Sequence, residues 1–258
     1  MPGVWYHVAA VFSDSGDFLK VYLNGTLDGN ATLSSSYNLY HWGHYEYIGY
    51  NGGSWWGSRY FDGLIDEVRV STIARTEFVF NEAYTPQNWS HPAIVWVRVN
   101  ALPIISSINS VTDTFQHYGG VTNDEVDEDL TLVYWRFDEG TGTKTYDEVK
   151  GIEGTFQNTP GWVAGLSGKA LDMERDDDEY INPDTGITSR FYNELTVEAF
   201  IRQESSVPYH SYILHSTRPN FDLIIDEQDR LYFFVYLRYD NGNCCQSYSV
   251  IGATELQN

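Results

Sequence analysis

The chain of 258 residues carries 36 acidic and 15 basic side chains, a formal net charge of −21. Such a surface repels polyanions, which excludes nucleic acid as a partner. No apolar run approaches the roughly 20 residues that a membrane-spanning helix requires, and no secretory hydrophobic region follows Met1, so export is expected to depend on a signal outside these residues.

Aromatic residues make up 16% of the chain and Asn-Gly or Gly-rich turns are frequent, which favours short strands over helices. The first strand is expected over Trp5 to Phe12, where Tyr6, Val8, Ala10 and Phe12 alternate with Trp5, His7, Ala9 and Val11. Apolar residues on both faces fit the interior of a sandwich. Leu19, Val21 and Leu23 then share one face of a second strand, and Asn24-Gly25 follows as a turn whose residues accept positive φ. Two turn-rich stretches, Tyr40 to Tyr47 and Gly52 to Phe61, supply Trp42, Trp55, Trp56 and Tyr60. Aromatics so placed stack on pyranose faces, cover the open ends of a core, or form a protein contact. Tyr47 to Gly53 and Phe61 to Ser71 read as two further strands. Alternation in the second puts Leu64, Asp66, Val68 and Val70 on one face and Ile65, Glu67 and Arg69 on the other. A carboxylate among apolar neighbours must be hydrogen-bonded, paired or metal-bound.

Residues 77–130 hold strand candidates at Ala93 to Val99 and Pro103 to Ile108 and an acidic stretch from Asn123 to Asp129. They form either a connecting segment with a solvated acidic face or a small extra β-unit. Strand patterns resume at Leu132 to Phe156, Gly165 to Pro183, Glu194 to Arg202, Tyr212 to Ser216 and Phe221 to Tyr236.

"WYHVAAVFSDSGDFLKVYLNG", then "YIGYN", then "YFDGLIDEVRVSTIART", resembles the second half of a LamG-like (laminin-G/pentraxin-type) jelly roll of the concanavalin A-like lectin/glucanase class. "LVYWRFDEGTGTKTYDEVKGIEGTF", "GLSGKALDMERDDDEYINP" and "ELTVEAFIR" are similar to the opening elements of the same family. The resemblance therefore implies an all-β, antiparallel jelly-roll β-sandwich, split or permuted. Residues 1–76 supply its C-terminal half and residues 131–258 its N-terminal half, joined by a β-rich connecting segment. Half a sandwich exposes edge strands and one side of the core, so each piece needs a partner. The pieces close within one chain, or between neighbouring copies of the chain in a head-to-tail filament, or with adjacent LamG-like repeats.

The resemblance also implies calcium near the sandwich rim. Asp147, in "YDEVKG", stands where the family's opening loop supplies an aspartate, and Lys150 brings a positive charge close by. Asp66 is a second candidate, with a carboxylate capping backbone N–H groups as its alternative role. The acidic run Glu174 to Glu179, with Asp176 and Asp178, is either a solvated loop or a weak cation site. Retaining glucanases of the same fold class carry Glu-x-Asp-x-x-Glu on one strand, whereas here Leu64 stands where the first Glu belongs, so no catalytic residue is expected.

Asn24, Asn30 and Asn88 head N-glycan acceptor patterns, the first two in an expected turn region. Cys244 and Cys245 are adjacent and form no disulfide framework; they are free thiols, an adjacent bridge, or links to another chain. The expectation is a non-catalytic structural or adhesive protein, extracellular or at the cell surface. The alternative is a carbohydrate-binding module of a larger protein.

Overall fold

The computed structural model describes residues 4–34, 37–39, 46–53, 57–78, 131–183, 193–206, 209–217, 220–239 and 246–256. Trp42, Trp55, Trp56, Asn88, Cys244 and Cys245 lie outside them, as does most of 77–130. The strands before residue 79 are β1 (Tyr6–Ser13), β2 (Phe18–Leu23), β3 (Thr26–Thr32), β4 (Tyr37–Leu39), β5 (Glu46–Ile48) and β6 (Gly63–Ser71). From residue 131 follow β7 (Thr131–Trp135), β8 (Lys144–Tyr146), β9 (Glu153–Gln157), β10 (Gly161–Ala164), β11 (Lys169–Met173) and β12 (Tyr180–Pro183). The last five are β13 (Glu194–Gln203), β14 (Ser211–Thr217), β15 (Asn220–Ile225), β16 (Arg230–Tyr239) and β17 (Gln246–Glu255). Among the described residues the helical stretch is a single 3-10 turn, Arg175–Asp177, and no helix is long and apolar enough to cross a membrane.

Two antiparallel sheets face each other. The first runs β10-β11-β6-β13-β1-β2-β3, with β7 also paired to β6; the second runs β17-β16-β15-β14-β5-β12-β9-β8, with β4 paired to β16. Strands from the two ends of the chain interleave in both. β1 lies between β13 and β2, and β6 pairs with β7, β11 and β13. In the second sheet β5 sits between β12 and β14. In this structure, then, the strands of 1–78 and of 131–256 complete one sandwich inside one chain.

The core between the sheets takes every second residue of the central strands. Val8, Ala10 and Phe12 of β1 meet Leu195, Val197, Ala199 and Ile201 of β13, facing Phe221, Leu223, Phe233 and Val235 of the second sheet. Each large apolar side chain so enclosed contributes about 2 kcal/mol relative to exposure. The opposite face of β1 is also covered, because Ala9 and Val11 pack with Tyr22 and Phe78 in a second cluster. The Asn24-Gly25 turn forms as its sequence predicts, with φ of 49° and 75°, and Leu23 pairs with Thr26 across it.

Alternation along β6 breaks. Ile65, Val68 and Val70 join the core, whereas Asp66 and Leu64 pair with the outward-facing Phe200 and Arg202. A register shift between Glu198 and Phe200, with Glu67 at a φ of +52°, inserts one extra residue. The expected common face of Leu64, Asp66, Val68 and Val70 is corrected accordingly: a β-bulge reverses the alternation midway.

Candidate functional site

The outer face of the second sheet gathers aromatic and hydrogen-bonding side chains by simple alternation. Phe233 and Val235 fill the core, so Tyr232, Phe234 and Tyr236 of β16 point the other way. Leu223 inward puts Asp222 outward on β15, and Ile48 inward does the same for Tyr47 on β5. Registry aligns these residues in one line across the strands. Ser249 opposes Phe234, Phe234 opposes Asp222, Asp222 opposes His215, and His215 opposes Tyr47. Beyond β5, Ile181 opposes Ile48, which brings Asn182 beside Tyr47; Asn182 then opposes Thr155, and Thr155 opposes Lys144.

Rings crowd one part of this line. Tyr50 stacks on Tyr60 with centroids 4.7 Å apart and lies 4.5 Å from the ring of Tyr180; Tyr47 meets Tyr50 edge-on at 5.2 Å. At the middle, His215 Nδ1 is 2.5 Å from Asp222 Oδ1, and the His215 ring lies parallel to Tyr47 at 6.3 Å. Further along, His210 stacks on Tyr232 at 5.4 Å, and the Arg59 guanidinium lies 5.4 Å over Tyr209. Burial raises the phenol of Tyr212, with the Asp222 charge adding to it, and burial also raises Tyr60 and Tyr180. These hydroxyls stay protonated in neutral solution, able to donate and to accept. Half-buried rings with protonated hydroxyls, interspersed with a carboxylate and an amide, can stack on an apolar ligand face and hydrogen-bond its hydroxyls.

Of the aromatics predicted from sequence, Tyr60 falls within this cluster. The cluster's other members, Tyr47, Tyr50 and Tyr180, and the line's Asp222 and Phe234 were not picked out from sequence. Their signal is period-two alternation in "FDLII" and "RLYFFVY", where polar or half-polar residues alternate with core ones. Alternation assigns two faces but does not say which neighbouring strands align them.

The four acidic candidates lie elsewhere. Both oxygens of buried Asp147 accept backbone N–H groups, Oδ1 from Tyr134 at 2.6 Å and Val149 at 3.2 Å, Oδ2 from Lys150 at 2.7 Å. Asp66, fully buried, accepts the Leu166 N–H on Oδ2 at 3.1 Å, while its Oδ1 has no hydrogen-bond partner among the described residues. Burial and the adjacent Glu67 charge raise its carboxyl well above the usual range, against the pull of the Leu166 and Ser167 N–H groups. Asp176 and Asp178 are exposed at the 3-10 turn. Among the described residues, Asp172, Glu174 and Glu204 bring three carboxylates together, with ligand atoms within 4.8 Å, and none of the four is in that group. Its oxygens suit a hard cation in type, but Arg202 holds Glu204 at 3.0 Å. Asn24 turns its Oδ1 back to accept the His7 N–H at 2.9 Å, and Asn30 stands exposed on strand β3 rather than in a turn.

On the first sheet's outer face, beside the apolar cluster of Ala9, Val11, Tyr22 and Phe78, lies a buried ionic network. Glu198, 2% exposed, accepts from Arg69 Nε at 2.5 Å and lies 3.3 Å from His7 Nε2. Burial opposes its charge, but Arg69 and His7 outweigh that and hold the carboxyl at about 2. This enclosed network is structural and offers no surface to a ligand.

A laminin-G-type family model, described as the Concanavalin A-like lectin/glucanases superfamily, matches residues 1–79. No curated protein and no solved structure matches the chain. The matched residues span β1 to β6, and the two antiparallel sheets they complete with residues 131–256 form a sandwich consistent with a jelly roll of the concanavalin A-like type. A match of this kind supports a carbohydrate-binding or adhesive module in general.

Proposed function

We propose that this jelly roll is a non-catalytic adhesive module at the cell surface that holds glycans on the outer face of its second sheet. The observation that supports the reading best is the transverse line of Phe234, Asp222, His215, Tyr47 and Asn182, flanked by the packed rings of Tyr50, Tyr60 and Tyr180. Aromatic rings stack on the C–H faces of sugars, and Asp222 and Asn182 supply an acceptor and an amide for their hydroxyls. Association between copies is not required by this reading, because β1, β5 and β6 find their strand partners within the chain.

Calorimetric titration of the purified protein with soluble glycans, in calcium and in chelator, tests the proposal. Saturable binding is expected, weakened about tenfold or more by Tyr180→Ala or by Asp222→Asn. Equal binding by the wild type and both variants would remove this face from the function. Loss of binding in chelator would assign calcium a part in it.

A further inference from the structure

We infer that Asn30 is a site of N-linked glycosylation and that Asn24, which heads the same acceptor pattern earlier on the chain, is not. The inference rests on the surface location proposed above, because the sugar donor lies along the export route. It is independent of what the second sheet binds.

Accessibility separates the two residues. Asn30 and Thr32, the acceptor and the hydroxyl of Asn30-Ala31-Thr32, are both exposed on β3, while Ala31 between them packs against the core. Alternation thus turns both members of the pattern outward together. Register places them on the outer side of the first sheet: Asn30 opposes Lys20, and Thr32 opposes Phe18, whose ring packs with the outer cluster of Ala9 and Val11. β3 is the last strand of its sheet, which leaves room beside the acceptor. Asn24 is held differently. It is half-buried at a φ of 49°, its N–H donates to the His7 carbonyl at 2.8 Å, and its Oδ1 accepts the His7 N–H at 2.9 Å. A glycan on that carboxamide would have to draw it off β1.

The surroundings of Asn30 also suit a sugar. Leu27, on the same strand, is 50% exposed and opposes Tyr22 of the outer cluster. An exposed apolar side chain at a sheet's end is a place where copies associate, and a hydrated glycan beside it blocks that contact. The rings of Tyr50, Tyr60 and Tyr180 belong to the other side of the sandwich and are left open. In the transfer, Asn30 Nδ2 attacks the anomeric carbon of a lipid-linked oligosaccharide diphosphate. A C–N bond forms, the C–O bond to the diphosphate breaks, the lipid diphosphate leaves, and one amide proton is lost. The carboxamide keeps its oxygen and one N–H.

The test maps occupancy by site. The chain, led by a secretion signal and carrying Asn88→Gln so that residue 88 adds nothing, is produced in cultured animal cells. Enzymatic removal of the glycan in heavy-oxygen water turns each occupied Asn into a labelled Asp. The secreted protein is expected to exceed its polypeptide mass and to carry the label at position 30 and not at position 24. Its mass should return to that of the polypeptide in Asn30→Gln and in Thr32→Ala, which keeps the carboxamide but removes the hydroxyl that the acceptor pattern requires. A bare Asn30, or a glycan on Asn24, would overturn the inference. Because the added signal supplies the export route, either result counts against the site itself and leaves the surface location standing. In unglycosylated protein, Asn24→Gln is expected to lower the urea midpoint and Asn30→Gln to leave it unchanged. Equal midpoints would remove the contrast on which the choice of Asn30 rests.

Discussion

Glu67 and Glu198, on adjacent strands β6 and β13, are both buried and respond to burial in opposite ways. Burial raises Glu67 from 4.5 to about 7, with the Tyr134 hydroxyl and Arg136 only partly offsetting it. A raised carboxyl holds a proton that the unfolded chain releases. Its contribution to stability is therefore complete below pH 4.5 and is lost as pH rises through about 7. Glu198, held at about 2, contributes fully above pH 4.5 and loses that contribution as pH falls toward 2. Each shift corresponds to roughly 3 kcal/mol. The expected result is a stability maximum in mildly acidic solution, measured by urea unfolding across pH. Glu67→Gln should flatten the decline on the neutral side, and Glu198→Gln should cost about 3 kcal/mol wherever Arg69 is left buried without its carboxylate. A wild-type stability that climbs steadily from pH 4.5 to 7 would contradict this electrostatic account. None of it was legible in the sequence, where "LIDEVRV" read as plain alternation, because the partners of Glu67 and Arg69 come from strands some 65 to 130 residues away.

Strand β6 shows where local patterns suffice and where they stop. The Asn24-Gly25 hairpin was legible because two adjacent residues dictate their own backbone angles. The bulge at Glu67 was not, since nothing in "IDEV" marks a left-handed residue; it exists because β13 on the neighbouring side sets the spacing. Gly63, at the start of β6, is fixed the same way. Its φ is +134°, and an added Cβ would lie 2.2 Å from the Arg202 carbonyl oxygen of β13. Backbone atoms cannot swing aside as a long side chain does. Gly63→Ala is expected to destabilise by about 2 kcal/mol or more, read as a lowered urea midpoint. An unchanged midpoint would mean that β6 and β13 part more readily than their register implies.

At the scale of the molecule, the all-β, antiparallel sandwich was legible and the strand partners that close it were not. Hydrophobic patterns identify strands that want partners without saying which chain provides them. In the structure β1 meets β13, and Asp28 of β3 accepts from Thr254 of β17 at 2.6 Å where the sheet edges meet. Internal closure predicts a mass of one chain by light scattering at every concentration. Mass that grows with concentration would instead favour exchange of the halves between copies. The aromatic face of the second sheet was equally hidden, because β5, β12, β14 and β16 contribute neighbours from residues 47, 182, 215 and 234.

The pairing of Tyr6 with Ile201 has a consequence for the protein's birth. Synthesis proceeds at about 5–20 residues per second, so β1 leaves the ribosome some ten seconds or more before β13 exists. Throughout that interval Val8, Ala10 and Phe12 have no core to enter, and the strand edge between them is open. During that interval β1 is an aggregation hazard, and its productive folding is tied to the arrival of β13.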